Sequence, residues 1–206
     1  MQIIISALHF PWRDISDCLA VAREELRLDG VELSLHESFQ HPHSTRQELL
    51  LLPTLLSNGE TTVDAHIWED LPQLGVTVGT ARLQEWVTLC GQVGITGIIL
   101  HGGSHPEQRV GLGIMRAILE NVLGQAESLH VELKLENHYP YNYHDAHELF
   151  SEAWEFTELF AALDSPSLQA CFDTGHAHMG RDWRPLLDAM GTRLSHIHLA
   201  DNDGMG

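Results

Sequence analysis

The chain has 206 residues and a formal net charge of −18, with 29 acidic against 11 basic side chains. This length is sufficient for one domain with a substantial core. A surface this acidic repels nucleic acid and is not attracted to an anionic membrane, so we expect neither as a partner. The three cysteines, Cys18, Cys90 and Cys171, are too far apart for a Cys-x-x-Cys zinc site. The N-terminal segment MQIIISALHF has no basic region before its short apolar run and is therefore not typical of a secretory signal. Together these two features predict a cytoplasmic protein.

Apolar runs that are typical of strands alternate with helical patterns along the chain. The first two predicted strands, IIISAL (3–8) and GVELSL (30–35), flank a predicted helix over 14–28 that precedes Gly30. A helix over 44–57 leads to the third strand, TTVDAHI (61–67), and a helix over 80–93 leads to the fourth, ITGIILH (95–101). The remaining elements are, in order, a helix over 107–128, the strand VELKLEN (131–137), a helix over 145–163, the strand LQACFD (168–173), a helix over 182–191 and the strand LSHIHLA (194–200).

Strict alternation of strands and helices predicts an α/β fold with a parallel sheet and crossover helices. Seven such strands favour a (β/α)8-type TIM barrel over a doubly wound sheet, and no Gly-rich phosphate loop follows the first strand. We expect residues 1–206 to form a single domain. A closed barrel needs eight strands, so we expect a barrel truncated after the seventh, whose open edges invite association into a homo-oligomer.

Residues that bind metals or transfer protons recur where the predicted strands end. They are Asp64 and His66 on the third strand, His101 on the fourth, Glu136, Asn137 and His138 on the fifth, Asp173 and His176 on and after the sixth, and His196, His198 and Asp201 on and after the seventh. The active site of a TIM barrel lies at the carboxyl ends of its strands. Five successive strands that end in this way therefore predict an active site at that end of the barrel.

Strand alternation selects the side chains that face the barrel axis. In VELKLE the alternating Val and Leu residues should face the helices, so Glu136 points inward, and in HIHLA the inward face carries His196 and His198. Glu136, Asp173 and His198 then come from three adjacent strands and offer nitrogen and oxygen ligands. Such a set suits a divalent metal such as Zn, Mn, Mg or Co.

The same residues have plainer explanations. A histidine at a strand end is often a solvated loop residue, and Asp173 before Thr174-Gly175 is typical of a turn. Lys134 is the only lysine and shares the inward face with Glu132 and Glu136. It could form a Schiff base with a substrate, but a salt bridge to one of these glutamates is the simpler interpretation.

Several segments in this order and spacing resemble the xylose isomerase-like TIM barrel superfamily, which includes sugar isomerases, sugar epimerases and zinc-dependent apurinic endonucleases. They are VDAH (63–66), ILHGG (99–103), LEN (135–137), CFDTGHAH (171–178) and HIHLADNDG (196–204). The resemblance implies that Glu136, Asp173 and His198 bind the metal and that Glu136 also acts as an acid/base. It further implies a catalytic role for His176 in contact with the substrate. His66 and His101 are expected to line the substrate-binding site, and their counterparts bind metal in the endonucleases.

The superfamily typically continues to an eighth strand with a glutamate that is the fourth metal ligand, and the 206 residues lack this segment. The resemblance implies a metal-dependent isomerase or epimerase of a sugar or sugar phosphate, which transfers a proton next to a metal-bound carbonyl. One alternative is a zinc-dependent endonuclease-like phosphodiesterase, although the charge of −18 argues against it. The other is a catalytically incomplete barrel that binds only a metal or small ligand.

Overall fold

The computed structural model describes residues 1–10, 13–35, 46–56, 61–140, 142–143, 145–180 and 182–202. Its centre is a parallel sheet that curls into a half-barrel, with the strand order β1-β2-β3-β4-β6-β9-β10. These strands are β1 (Ile4–Ser6), β2 (Gly30–Leu35), β3 (Thr62–Ile67), β4 (Gly97–His101), β6 (Glu132–Glu136), β9 (Leu168–Asp173) and β10 (Leu194–His198). Each predicted strand is present, which confirms the parallel α/β architecture.

Helices connect the strands as crossover elements. They are α1 (Ile15–Ala20), α2 (Arg46–Leu49), α3 (Leu52–Leu55), α4 (Leu71–Val93), α5 (Gln108–Ser128), α6 (Ala153–Ala162), α7 (Thr174–Met179) and α8 (Arg184–Met190). Asp14 caps α1 because its side chain accepts a hydrogen bond from the backbone N–H of Asp17 at 2.8 Å. A π-helical turn over Val21–Glu25 then continues α1.

The helices differ from the sequence prediction at four places. The helix predicted over 44–57 is two short helices, α2 and α3. The helix predicted over 80–93 begins earlier, at Leu71, and is kinked at Gly75, whose φ of 73° is not helical. The first part of the helix predicted over 145–163 is wrong, because β8 (Ala146–Glu148) is a strand and the helix begins only at Ala153. The short helix α7 was not predicted.

A second, smaller sheet lies beyond the carboxyl ends of β4 and β6. It is antiparallel, with the order β5-β8-β7, and contains β5 (Ser104–His105), β7 (Asn142–Tyr143) and β8. The backbone N–H of His138 donates to the carbonyl of Phe150 at 3.1 Å, and that of Leu149 donates to Gly103 at 2.9 Å. These bonds tie the small sheet to the end of the barrel where the predicted site residues lie.

One apolar core joins the sheet to its helices. It includes the strand residues Leu33, Ile98 and Leu133, which face helical residues such as Val87 and Leu119. All six residues of β2 are buried, as expected for a parallel strand that is covered on both faces. This core fixes the strands, and therefore fixes where their carboxyl ends present polar side chains.

The strands β1 and β10 form the two edges of the described sheet. On the outward face at β10, Ile197 is 52% exposed and Leu199, just beyond the strand, is 88% exposed. Within the described ranges, no helix combines the length and the apolar character that are needed to cross a bilayer.

Candidate functional site

Strand register brings the predicted ligands to one end of the half-barrel. Glu136 ends β6, and its neighbour in β4 is His101. Asp173 ends β9, and its neighbour in β10 is His198. Because neighbouring parallel strands end at the same level, these side chains converge, and ligand atoms of Glu136, Asp173 and His198 lie within 4.8 Å of one another.

Glu136 is the centre of the cluster, and its side chain is only 1% exposed. Its Oε1 atom lies 3.0 Å from Nδ1 of His198 and 3.4 Å from Nδ1 of His176. Its Oε2 atom lies 3.3 Å from Nε2 of His66 and 3.2 Å from Nε2 of His101. One carboxylate therefore contacts four of the histidines that the sequence analysis selected.

Asp173 is held by Asn137, which follows Glu136 in the chain. The Asn137 side chain accepts from the backbone N–H of Asp173 at 2.7 Å and donates to its carbonyl at 3.1 Å. The Asp173 side chain caps α7, since its Oδ1 accepts from the backbone N–H of His176 at 2.6 Å. The cap leaves Oδ2 3.5 Å from Nδ1 of His198 and fixes His176 beside Glu136.

Charges in the cluster perturb one another strongly. Burial alone would raise the pKa of Glu136, but the imidazoles of His101, His66 and His176 hold that pKa well below its usual range. Burial alone would lower the pKa of His198, but hydrogen bonds to carboxylates, first among them Asp173, raise it. The carboxylate of Glu136 is therefore held in its ionised form, which is the form that binds a cation.

Three buried atoms favour a bound cation at this point. The atoms Nε2 of His66, Nε2 of His101 and Oε2 of Glu136 are buried and make no hydrogen bond of acceptable geometry in the described structure. Such orphaned polar atoms are costly, and a metal ion or a polar group of a substrate would satisfy them. The residues present therefore fit a divalent cation, and two sets of possible ligands share Glu136: one with Asp173 and His198, the other with His66 and His101.

A cavity of about 460 Å³ lies beside the cluster and is of the size that small-molecule sites have. Its walls include His138 and His176 on the side of the cluster and Glu152, Ala153 and Leu186 farther out. Burial, followed by the charges of His101 and His176, lowers the pKa of His138 to about 3, so this wall carries a neutral imidazole.

Two groups of site residues were missed or misassigned from the sequence. Glu32 in β2 is buried among His66, His196 and His198, although no role was predicted for it. Its signal in the sequence is a lone charge within the apolar run GVELSL. Lys134 does pair with a carboxylate, but the partner is Asp64 at 2.8 Å rather than either glutamate of its own strand.

Not every predicted residue joins the cluster. Glu132 was expected to face inward but is exposed at the start of β6. His196 faces inward at a deeper level, between Glu32 at 3.3 Å and Asp64 at 3.4 Å. Asp201 is exposed beyond β10. The inner face therefore has two layers, with Glu136 in the outer layer and the pair of Lys134 with Asp64 in the inner one.

The fold is shared with solved structures. A D-tagatose 3-epimerase-like protein superposes with a TM-score of 0.78 and 18% identity, over 99% of this chain and 78% of that protein. D-psicose 3-epimerase from Clostridium cellulolyticum H10 superposes with a TM-score of 0.75 and 15% identity, over 96% and 72% of the two chains. An L-ribulose 3-epimerase gives a TM-score of 0.74 and 14% identity, over 96% and 69%.

No curated protein matches the sequence significantly. The profile of one family, the xylose isomerase-like TIM barrel, matches residues 2–205. This match covers almost the whole chain and agrees with the seven-stranded half-barrel and its polar strand ends. The chain therefore belongs to the xylose isomerase-like TIM barrel family.

Proposed function

We propose that this protein is a metal-dependent carbohydrate epimerase or isomerase that transfers a proton next to a metal-bound carbonyl. The observation that carries the proposal is the buried carboxylate of Glu136, whose two oxygens contact different pairs of imidazoles at the carboxyl end of the half-barrel. The similar folds of three sugar 3-epimerases, or proteins like them, support the carbohydrate class. The adjoining cavity supports a small-molecule substrate.

A divalent cation held by Glu136, Asp173 and His198 would polarise a substrate carbonyl and acidify the adjacent C–H. Glu136 can divide two tasks between its oxygens, since Oε1 faces His198 and Oε2 faces His66 and His101. We assign to Oε2 the removal of the substrate proton, which an isomerase would return from the same oxygen to the neighbouring carbon. An epimerase would need a second acid/base on the opposite face of the substrate to return a proton to the same carbon. Because nearby imidazoles hold its pKa low, Glu136 is a weak base and needs an acidified C–H.

His176 is suited to hold a substrate oxygen. Its Nδ1 lies 2.9 Å from the carbonyl of Asn137, and its ring lines the cavity. When the Nδ1–H donates to that carbonyl, the other ring nitrogen remains for the substrate. His66 and His101, which lie beside Oε2 of Glu136, would line the reacting carbon of the substrate.

The test is exchange of a substrate C–H with heavy water. The protein is loaded with Mn²⁺, Co²⁺ or Mg²⁺ and incubated with a panel of free ketoses and ketose phosphates, and deuterium incorporation is followed by NMR. Glu136→Gln should lower the exchange rate by roughly 100-fold or more, the usual contribution of an acid/base. The matched control is Glu132→Gln, the same change at an exposed position of the same strand, which should exchange like the wild type.

Persistent exchange in Glu136→Gln would remove that residue from its role, and exchange unaffected by a chelator would remove the metal. The grouping of His66, His101 and Glu136 also favours a second candidate, a phosphodiesterase with several metal ions. Cleavage of abasic DNA without exchange on any sugar would support that candidate. Metal binding with neither reaction would indicate a barrel that only binds a ligand.

A further inference from the structure

Glu32 is a carboxylate in the middle of a core strand, and its side chain is 5% exposed. Three imidazoles surround it: Nδ1 of His66 lies 3.4 Å from Oε1, and Nε2 of His196 and Nε2 of His198 lie 3.3 Å and 2.8 Å from Oε2. An unpaired buried carboxylate would be very costly, so these contacts account for its tolerance in the core. They do not by themselves explain why the core carries a charge at this position.

Two of these imidazoles connect Glu32 to Glu136. His66 directs Nδ1 towards Glu32 and Nε2 towards Oε2 of Glu136, at 3.3 Å. His198 directs Nε2 towards Glu32 and Nδ1 towards Oε1 of Glu136, at 3.0 Å. Nε2 of His66 and Nδ1 of His198 therefore both face the carboxylate of Glu136, and the other nitrogen of each ring faces Glu32.

A neutral imidazole has one N–H and one lone pair, on different nitrogens. If Glu32 accepts the N–H of each ring, the lone pairs are at Nε2 of His66 and Nδ1 of His198, both beside Glu136. Nε2 of His66 is buried and, although it lies 3.3 Å from Oε2 of Glu136, makes no hydrogen bond of acceptable geometry, which supports a ligand at that position. Metal-binding histidines commonly donate their other N–H to a carboxylate, which sets the tautomer and the orientation of the ring.

We propose that Glu32 is a positioning residue that fixes the tautomers and orientations of His66 and His198, so that both rings present lone pairs towards Glu136. The lone pair of His198 is then directed to the cation of the proposed centre, and that of His66 to the space beside Oε2. This inference rests on the metal centre of the proposed function. It assigns to the core strand β2, which contributes no residue to that centre, a direct influence on metal affinity. In this role Glu32 would contact neither the cation nor the substrate, although its carboxylate also forms, with His66 and His198, a set that could hold an ion.

The inner layer provides a matched control. Asp64 is also a buried inward carboxylate, and it contacts His196 and Lys134. Among the described residues, no hydrogen bond or ion pair is found between Asp64 and His66 or His198. Asp64→Asn should therefore lower stability without changing the set of lone pairs at Glu136, whereas Glu32→Gln should change that set.

The experiment measures the affinity for Mn²⁺ by titration and electron paramagnetic resonance of the free ion, in the wild type, Glu32→Gln and Asp64→Asn. Glu32→Gln should bind roughly 10- to 100-fold more weakly, and Asp64→Asn should bind like the wild type. A second measurement needs no variant: ¹⁵N NMR of the Zn²⁺-loaded wild type should show protonated Nδ1 on His66 and protonated Nε2 on His198.

Unchanged affinity in Glu32→Gln, an equal loss in Asp64→Asn, or the opposite tautomers would overturn the proposal. If the wild type bound no metal at all, the metal centre and this role of Glu32 would both be refuted. If Glu32→Gln weakened binding while no sugar underwent exchange, the positioning role would stand and the proposed reaction would fall. The two proposals can therefore fail separately.

Discussion

The ion pair between Lys134 and Asp64 should be a principal stabilising contact inside the half-barrel. The two groups are 2.8 Å apart, and their side chains are 10% and 6% exposed. Burial would raise the pKa of Asp64, but the hydrogen bond with His196 and the charge of Lys134 lower it. Gly97 makes room for the pair, because a Cβ there would lie 2.3 Å from Oδ1 of Asp64 and 2.6 Å from Nζ of Lys134.

Lys134→Met removes the ammonium and leaves a buried carboxylate with only an imidazole beside it. Loss of one partner of a buried pair costs about 3–5 kcal/mol, so we expect the free energy of unfolding to fall by that amount. The double variant Lys134→Met/Asp64→Asn should recover part of the loss, because it leaves no uncompensated charge. Urea denaturation followed by circular dichroism measures each value.

The control is an ion pair at the surface. Arg109 and Glu158 are 3.1 Å apart, but their side chains are 75% and 50% exposed. Glu158→Gln should therefore cost less than about 1 kcal/mol. If Lys134→Met cost no more than Glu158→Gln, the argument from burial would be refuted, and Lys134 would again be free for the Schiff-base role.

Two further predictions concern other buried groups. Burial raises the pKa of Glu155 from its usual 4.5 to about 7, so the protein keeps the full contribution of this group to stability below pH 4.5 and loses about 3 kcal/mol as the pH rises to 7. Glu155→Gln should remove this part of the pH dependence, and a variant with the same pH profile as the wild type in urea denaturation would contradict the prediction. Burial raises the pKa of Cys18 to about 11 and those of Cys90 and Cys171 to about 12, so a thiol reagent at pH 8 should label the protein only after unfolding, and rapid labelling of the native protein would contradict this.

The strands could be predicted because their signal is physical and strong. Parallel strands covered on both faces need continuous apolar runs, and GVELSL and LQACFD match β2 and β9 at both ends. The convergence of Glu136, Asp173 and His198 followed from strand parity together with the rule that barrel sites lie at strand ends. Their roles as ligands remain a prediction.

The helical errors arose where local propensity and tertiary contacts disagree. Residues 146–148 fit a helical pattern, but they pair with β5 and β7 as a strand. The segment TGHAHM contains a glycine and two histidines, which are poor helix formers, yet it forms α7 because Asp173 caps its first turn. Neither contact can be read from the segment alone.

Glu32 was missed for a different reason. Barrel sites are expected at strand ends, whereas Glu32 lies in the third position of β2 and reaches the site through the imidazoles of other strands. His198 is 166 residues away in the chain. Only the curl of the sheet brings β2 and β10 close enough for this contact.

The inner face of the sheet also accounts for part of the unusual histidine content. It gathers four carboxylates, none more than 7% exposed, against the single ammonium of Lys134: Glu32, Asp64, Glu136 and Asp173. Burying carboxylates without partners would unfold so small a domain, and arginine would fill the space that a substrate needs. Imidazoles are smaller, can donate from two opposite atoms and can exchange a proton for a metal, so they keep the carboxylates buried and leave them able to act as ligands. Among the histidines that the structure describes, six occupy this face and its rim: His66, His101, His138, His176, His196 and His198.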